Sequence, residues 1–322
     1  RPMVNLLPLA EGETISTVLP LPEDESEWGG LHIMFATAHG TVRRNSMAAF
    51  TNIPSNGKIA MRFGTGTTEE TESDDDSEEQ TDTSDRLIGV ELLTEGDDVL
   101  LATRNGKAIR FMATDVREFR SRTSTGVRGV RLLEGDQVIS MSILHRVGTS
   151  QEEREAYLRF APWKGEKEGE CPISAERMAE LVDKEQFILT VTENGYGKRS
   201  SAYEYRRTNR GGQGITNIDT SERNGCVVAS FPAHQGEALM LVTDHGKVIR
   251  TTVGDIRVMG RNTQGVTIFR VAEGEHVVSV AKIEESEEEE IEVDGGDEIA
   301  PEEGAVVGES ELEKPADPEP DE

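Results

Sequence analysis

A chain of 322 residues with 35% hydrophobic residues and a formal net charge of −28 has the composition of a folded body carrying strongly charged polar segments. Its two cysteines, Cys171 and Cys226, are not spaced as metal ligands, and they exclude a disulfide framework. No apolar run approaches the roughly 20 residues of a membrane-spanning helix, so we expect a cytoplasmic protein with no membrane partner.

The negative charge lies in two segments. Residues 69–85 hold 10 acidic residues and no basic ones, and residues 284–322 hold 19 acidic residues and one lysine. These segments account for the whole net charge, so the remainder of the chain is neutral. Because dense like charges repel one another and cannot bury apolar surface, we expect disorder in an insert over 64–86 and in a tail over 283–322.

Four similar units follow one another in the rest of the chain, near residues 13–63, 87–132, 137–219 and 226–271. Each contains an apolar β-type run, a polar residue followed by glycine, and a second β-type run with basic residues. A polar loop, another glycine and a third β-type run complete the pattern. The polar–glycine pairs fit tight hairpin turns: His39-Gly40, Asn105-Gly106, Asn194-Gly195 and His245-Gly246.

A further β-type run precedes each unit, namely TISTVLPL, LIGVELL, VISMSIL and CVVASFP, and HVVSVAKI follows the last. One unit therefore has about four strands in roughly 50 residues, which is the size of a propeller blade. The chain opens with RPMVNLLPL, which has the pattern of the last strand of an earlier unit, so we expect a fragment of a longer polypeptide. The sequence predicts an all-β, propeller-like array.

One insertion departs from the repeat. Residues 149–184 lengthen the third unit, and SAERMAELV within them has the pattern of a short helix with Ser174 as its N-cap. We therefore expect one small helical insertion in an otherwise all-β domain that extends over residues 1–282.

Arginine recurs at equivalent positions of the units. The fourth residue after each turn glycine is always an arginine: Arg44, Arg110, Arg199 and Arg250. Basic neighbours stand close to these positions: Arg43, Lys107, Lys198 and Lys247. The fourth residue before the second glycine is an arginine in three units: Arg122, Arg210 and Arg261. Because equivalent positions of stacked repeats point the same way, we expect rows of guanidinium groups around part of the perimeter.

The densest basic stretch is RRTNRGGQG, over residues 206–214. Its candidate binding residues are Arg206, Arg207, Arg210, Gly211, Gly212 and Gly214, and Arg120 and Arg128 complete the set in the second unit. Arginine forks and backbone N–H groups at glycine suit phosphate oxygens. A row of them suits a long polyanion, above all duplex DNA bound through its backbone. The alternative is that these arginines are solvated strand residues paired with acidic neighbours.

No catalytic constellation is recognisable in the sequence. GYGKRSS lacks the spacing of a phosphate-binding P-loop, and the six histidines do not cluster. We expect neither an enzyme nor a metal or cofactor site in this chain alone. A protein-interaction propeller that reads acidic peptides stays open as an alternative, and competition between duplex DNA and polyglutamate distinguishes the two.

Four phrases, VNLLPL, TENGYGKR, NRGGQG and MGRNTQGV, closely resemble the C-terminal domains of the DNA gyrase A subunits, which belong to the bacterial type IIA topoisomerases. The resemblance covers about residues 1–282, and it implies a six-bladed β-pinwheel whose blades exchange strands and whose basic perimeter wraps duplex DNA. It implies support of ATP-dependent negative supercoiling, with the cleavage domain of the gyrase A subunit and with the gyrase B subunit as partners on the nucleoid. ATP and Mg²⁺ then belong to other parts of the holoenzyme, and this chain carries no cofactor.

One loop departs from the family pattern. The signature loop of the family reads Gln, Arg, Arg, Gly, Gly, Lys or Arg, Gly, whereas TNRGGQG over residues 208–214 keeps only Arg210, Gly211, Gly212 and Gly214. We expect this loop to be a degenerate copy, with the main box and about two further blades upstream. The related C-terminal domain of the topoisomerase IV A subunit, which has a weaker box, therefore stays open as an alternative.

Overall fold

The computed structural model describes residues 15–54, 57–63, 85–121, 124–165 and 168–284. The predicted disorder of the acidic insert and of the tail falls almost entirely outside these residues. Asp85 and Arg86, at the end of the predicted insert, are described. Ile283 and Glu284, the first two residues of the predicted tail, are described too and belong to the last strand, so the predicted start of the disordered tail is corrected.

The described residues form fifteen strands and two α-helices, with several short 3-10 helices between them. The strands of the first two units are β1 (His32–Thr37), β2 (Thr41–Ser46), β3 (Leu87–Leu93), β4 (Asp97–Thr103), β5 (Lys107–Met112), β6 (Val127–Arg128) and β7 (Val138–His145). Those of the last two are β8 (Phe187–Thr192), β9 (Tyr196–Ser201), β10 (Ile215–Thr216), β11 (Val227–Pro232), β12 (Glu237–Thr243), β13 (Val248–Thr252), β14 (Val266–Thr267) and β15 (Val277–Glu284).

These strands form four antiparallel sheets, ordered β3-β1-β2-β6, β10-β5-β4-β7, β11-β8-β9-β14 and β13-β12-β15. Each sheet is built on the hairpin that the sequence predicts around a turn glycine. The two-residue strands β6, β10 and β14 each come from the unit that follows in the chain and close the sheet before it. The all-β array is confirmed, and its blades exchange strands as the resemblance implies.

The strand pairing corrects the predicted boundaries of the units. The runs LIGVELL, VISMSIL, CVVASFP and HVVSVAKI become β3, β7, β11 and β15, and each pairs with the unit before it instead of the unit after it. The chain leaves a hairpin, crosses to the neighbouring sheet, and then returns to its own. Residues 15–21, most of the predicted run TISTVLPL, are not a strand.

The returning strands fix which edge of each sheet faces inward. Residues of β3, β7, β11 and β15 line one common cavity of about 820 Å³. The donated strands lie at the opposite edge of their sheets. The segments that cross from one unit to the next therefore lie on the outer side of the array. We call their described residues, 116–121 with 124–128, 205–216 and 256–267, the crossing segments.

Three of the hydrophobic clusters lie between successive sheets, and a further one lies within the first unit, around Ile33 and Phe35. The largest buried cluster joins Met34 and Val42 of the first unit to Leu101 and Phe111 of the second. Equivalent clusters join the second unit to the third and the third to the fourth. Because burial of apolar area is the main stabilising contribution, each unit depends on its neighbour for stability.

The insertion contains two helices, α1 (Gln151–Phe160) and α2 (Ala175–Asp183), where the sequence predicted one. The hydroxyl of Ser174 caps α2 as predicted, by accepting from the backbone N–H of Arg177. Both helices pack on the third unit, where the rings of Tyr157 and Tyr203 meet edge to face with 4.9 Å between centroids. Within the described part of the chain, no helix is long and apolar enough to cross a membrane.

Candidate nucleic-acid interface

Three of the four arginines of the first predicted row are buried instead of exposed. Arg44, Arg110 and Arg199 are 6%, 9% and 7% exposed, on the second strand of their hairpins. Each guanidinium donates to a backbone carbonyl at the 3-10 helix of the next unit: Arg44 Nε to Val116 at 2.9 Å, Arg110 Nη1 to Ala202 at 2.8 Å, and Arg199 Nε to Ile256 at 2.7 Å. These hydrogen bonds join each unit to the next one, and we call Arg44, Arg110 and Arg199 the latch arginines.

Two neighbouring cations are buried as well. Arg43 donates to Asn45 Oδ1 at 2.8 Å, and burial lowers the pKa of its guanidinium to about 10. The Lys198 ammonium donates to the backbone carbonyls of Gly260, Arg261 and Thr263 at 2.8, 2.6 and 3.0 Å, and burial lowers its pKa to about 7. The expectation of an exposed row at Arg43, Arg44, Arg110, Lys198 and Arg199 is therefore corrected: these groups are buried and donate to acceptors of the chain itself.

The fourth arginine of the first row and two of the basic neighbours lie closer to solvent. Arg250 and Lys247 of the last unit are exposed, and the Lys247 ammonium is 2.7 Å from Glu275 Oε2. Lys107 is half-buried, with its ammonium 3.5 Å from the Thr216 hydroxyl. The last sheet has no donated strand among the described residues, which leaves β13 uncovered.

The second predicted row also holds the array together, as far as the structure describes it. Arg122 lies outside the described residues. Arg210 donates through Nη1 to the Arg128 carbonyl at 3.1 Å, and Arg261 donates through Nη1 to the Thr216 carbonyl at 3.0 Å. Both acceptors belong to donated strands, so these arginines secure the strand exchange.

The glycines of RRTNRGGQG serve backbone packing. The Gly211 N–H donates to the Gly129 carbonyl at 2.7 Å. At Gly214, where φ is +74°, a Cβ would lie 2.5 Å from the Ala108 carbonyl oxygen. Gly212 is exposed, and its carbonyl accepts from the Arg131 N–H. The loop therefore lies against the neighbouring unit, and Gly211 and Gly214 are not arranged as a phosphate cradle.

An exposed arginine row does exist, at a different position of the repeat from the predicted rows. Arg117, Arg206 and Arg257 are equivalent residues of the three crossing segments, and all three are exposed. Each directly follows the residue that ends a 3-10 helix and precedes a backbone bridge to the neighbouring hairpin. We call these three side chains the outer row.

Arg206 of the outer row is among the residues predicted from the sequence, whereas Arg117 and Arg257 were missed. Alignment of the units on the apolar residue before each of them, in VREF, YRRT and IRVM, would have found the outer row. Further exposed arginines lie along the crossing segments or near them: Arg120, Arg128, Arg131, Arg207, Arg223 and Arg270.

The fold and the outer row together define a propeller-like repeat protein with exchanged strands and a basic outer edge. The family described as "DNA gyrase C-terminal domain, beta-propeller" matches residues 31–73, 97–145, 186–232 and 237–284, and the chain belongs to this family. These four matches follow the four sheets, including each returning strand except β3.

Curated relatives carry the name of a gyrase subunit. The chain is 46% identical to the DNA gyrase A subunit of Rickettsia bellii, over 95% of the chain and 33% of the relative. It is 35% identical to that of Escherichia coli K12, over 94% of the chain and 28% of the relative. The chain therefore spans about a third of the length of these relatives.

Two solved structures share the fold. A DNA gyrase A C-terminal domain superposes with a TM-score of 0.60 at 21% identity, over 88% of this chain and 74% of that one. The C-terminal domain of a DNA topoisomerase IV superposes with a TM-score of 0.62 at 19% identity, over 88% and 70%. The β-pinwheel architecture is thus common to this chain and to both kinds of topoisomerase.

Proposed function

We propose that this chain is a DNA-wrapping domain of the DNA gyrase A subunit, which bends duplex DNA around its outer edge. The observation that carries the proposal is the outer row, in which three successive units present an exposed arginine at the same position. Phosphates recur along the duplex, so a recurring cation on a curved edge matches a bent backbone without any readout of bases.

The buried arginines contribute indirectly. Arg44, Arg110 and Arg199 bind carbonyls of the next unit and so fix the angle between successive sheets. A rigid array can offset the several kcal/mol that bending DNA costs, because its cations are already in position. The wrapped segment then feeds ATP-dependent negative supercoiling by the holoenzyme.

The context of this domain completes the proposal. The chain itself performs no catalysis and needs no cofactor, while ATP and Mg²⁺ serve other parts of the holoenzyme. Its partners are duplex DNA, the cleavage domain of the gyrase A subunit and the gyrase B subunit, in the cytoplasm on the nucleoid. The match to the gyrase family and the two gyrase relatives favour this assignment over topoisomerase IV.

The salt dependence of DNA binding tests the proposal. If about six phosphates are engaged, the logarithm of affinity falls with the logarithm of salt concentration at a slope near −5. Replacement of Arg117, Arg206 and Arg257 by glutamine should make that slope less negative by about 2.7, because three phosphate contacts are lost.

A matched control replaces three exposed cations of the insertion, Arg159, Lys164 and Lys184, by glutamine, and it should keep the parent slope. Equal slopes for the parent chain and the outer-row variant would contradict the proposal. Competition by polyglutamate as effective as that by duplex DNA, at matched ionic strength, would favour a protein-interaction propeller instead.

A further inference from the structure

The insertion and the crossing segment 205–216 enclose a cavity of about 480 Å³ on the outer side of the array. Ser150 and Arg154 of the α1 region line it from the insertion, and Arg206 and Arg207 line it from the crossing segment. The buried latch Arg110 lines it too, so four arginines surround one cavity.

Arg154 is the unusual member of this group. Its side chain is half-buried, and its Nε is buried with no hydrogen-bond partner among the described residues. By contrast, Arg177 of the same insertion pairs with Glu153 at 2.7 Å and with Glu180 at 2.6 Å. A buried donor without an acceptor costs free energy, so the Arg154 site lacks an anion that would stabilise it.

The buried carboxylate near the cavity does not supply that anion. Asp98 is fully buried and is shared by three arginines, with its oxygens 2.9 Å from Arg110 Nε, 3.3 Å from Arg146 Nε and 4.0 Å from Arg207 Nε. Burial lowers the pKa of the Arg110 guanidinium, Asp98 raises it, and the nearby Arg207 lowers it again.

Glu155 is the acidic residue of the lining. It is exposed and accepts from the Gln151 side chain at 2.9 Å. Two carboxylates, those of Asp98 and Glu155, therefore lie near five arginines, namely the four of the lining and Arg146. The cavity has an excess of positive charge. Such an excess attracts a compact anion with several acceptor oxygens.

We propose that this cavity binds a phosphate group of wrapped DNA, held by Arg154, Arg206 and Arg207. The proposal rests on the proposed function and extends it, because Arg206 belongs to the outer row and Arg154 does not. Planar guanidinium forks match the oxygens of a phosphodiester, and burial of part of Arg154 strengthens the attraction. The insertion thereby adds one phosphate contact beside the outer row.

The test replaces Arg154 by glutamine in the whole chain, with Arg159→Gln on the same helix as the matched control. Arg154→Gln should weaken binding of duplex DNA about tenfold, as expected for loss of a charged hydrogen bond. It should also make the salt slope less negative by about 0.9. Arg154→Lys keeps the charge and should keep the parent slope, and Arg159→Gln should match the parent in both measurements.

Stability separates this role from a structural one. The melting temperature of Arg154→Gln should equal or exceed that of the parent, because the buried Nε of Arg154 has no hydrogen-bond partner among the described residues. A clear fall in melting temperature would show that the side chain holds the insertion in place, and this result would overturn the proposal.

A second arm separates DNA phosphate from free phosphate. Melting temperatures of the parent and of Arg154→Gln are compared in inorganic phosphate and in chloride at equal ionic strength. If Arg154→Gln keeps the DNA affinity and slope of the parent, the proposal is overturned and the outer-row function stands. In that case, a cavity that binds free phosphate would still show itself, because phosphate would raise the melting temperature of the parent and not that of Arg154→Gln. If the parent itself fails to bind DNA, the proposed function fails and this inference fails with it.

Discussion

Arg44, Arg110 and Arg199 bind carbonyl oxygens of the chain itself, whereas Arg117, Arg206 and Arg257 face solvent and can bind ligands. The first three lie within strands that are covered on both faces, and the second three lie on the outer crossing segments. The difference follows from burial, because a buried guanidinium is stabilised by fixed acceptors of the chain, whereas an exposed one is free to exchange water for a ligand.

This division predicts different effects for one substitution at two equivalent positions. Arg199→Lys should lower the free energy of unfolding by about 2 kcal/mol, because a lysine cannot reach both the Ile256 and the Gly254 carbonyls that the guanidinium binds. Arg250→Lys, at the exposed position of the last unit, should change it by less than about 0.5 kcal/mol. Urea unfolding of both variants measures this. Equal losses of unfolding free energy in the two variants would show that the hydrogen bonds of Arg199 to the next unit do not stabilise the fold.

Strand exchange couples neighbouring elements through close backbone contact. The turn glycine of the second hairpin, Gly106, has a φ of +76°, and a Cβ there would lie 2.5 Å from the Ile218 carbonyl oxygen of the next unit. Gly246, the equivalent glycine of the last hairpin, has a φ of +81° with nothing within 4 Å of such a Cβ. The two glycines share a left-handed conformation, and only Gly106 has a neighbouring unit within contact distance of such a Cβ.

Alanine at these two glycines therefore separates turn strain from packing between units. Both substitutions cost the strain of a left-handed residue, about 1 kcal/mol. Gly106→Ala should cost about 2 kcal/mol more than Gly246→Ala, because only its Cβ collides with backbone. Thermal or urea unfolding compares the two variants. A smaller loss at Gly106 than at Gly246 would contradict the assignment of the donated strand.

The hairpins and the repeat were predictable because a polar–glycine pair between two β-type runs is a local signal. The pairing partners of β3, β7, β11 and β15 could not be predicted, because the order of strands in the chain does not reveal where a crossing segment ends. The burial of Arg110 was hidden for a related reason: in KAIRFM both faces of β5 are covered, so alternation of polar and apolar residues carries no information about exposure. The outer row could have been found from the sequence by aligning the units on the apolar residue that precedes each of its arginines.

At the scale of the whole molecule, the array resembles other repeat proteins in that each unit is stabilised by its neighbours. The buried cores between sheets and the hydrogen bonds of Arg44, Arg110 and Arg199 join successive sheets. In the proposed function, DNA that binds the cations of the outer edge bends along it. The net charge of −28 is not a property of the repeat body, because the two acidic segments carry all of it.

The proposed wrapping of DNA along the outer edge is tested most directly by the linking number of a closed plasmid, because a chiral wrap changes that number. A nicked plasmid is ligated in the presence of increasing amounts of the chain, and the topoisomers are separated after the protein is removed. We predict a change in mean linking number in proportion to bound chain, and a much smaller change with Arg117, Arg206 and Arg257 all replaced by glutamine. An unchanged distribution with the parent chain at saturating binding, or an equal shift with the variant, would contradict the claim.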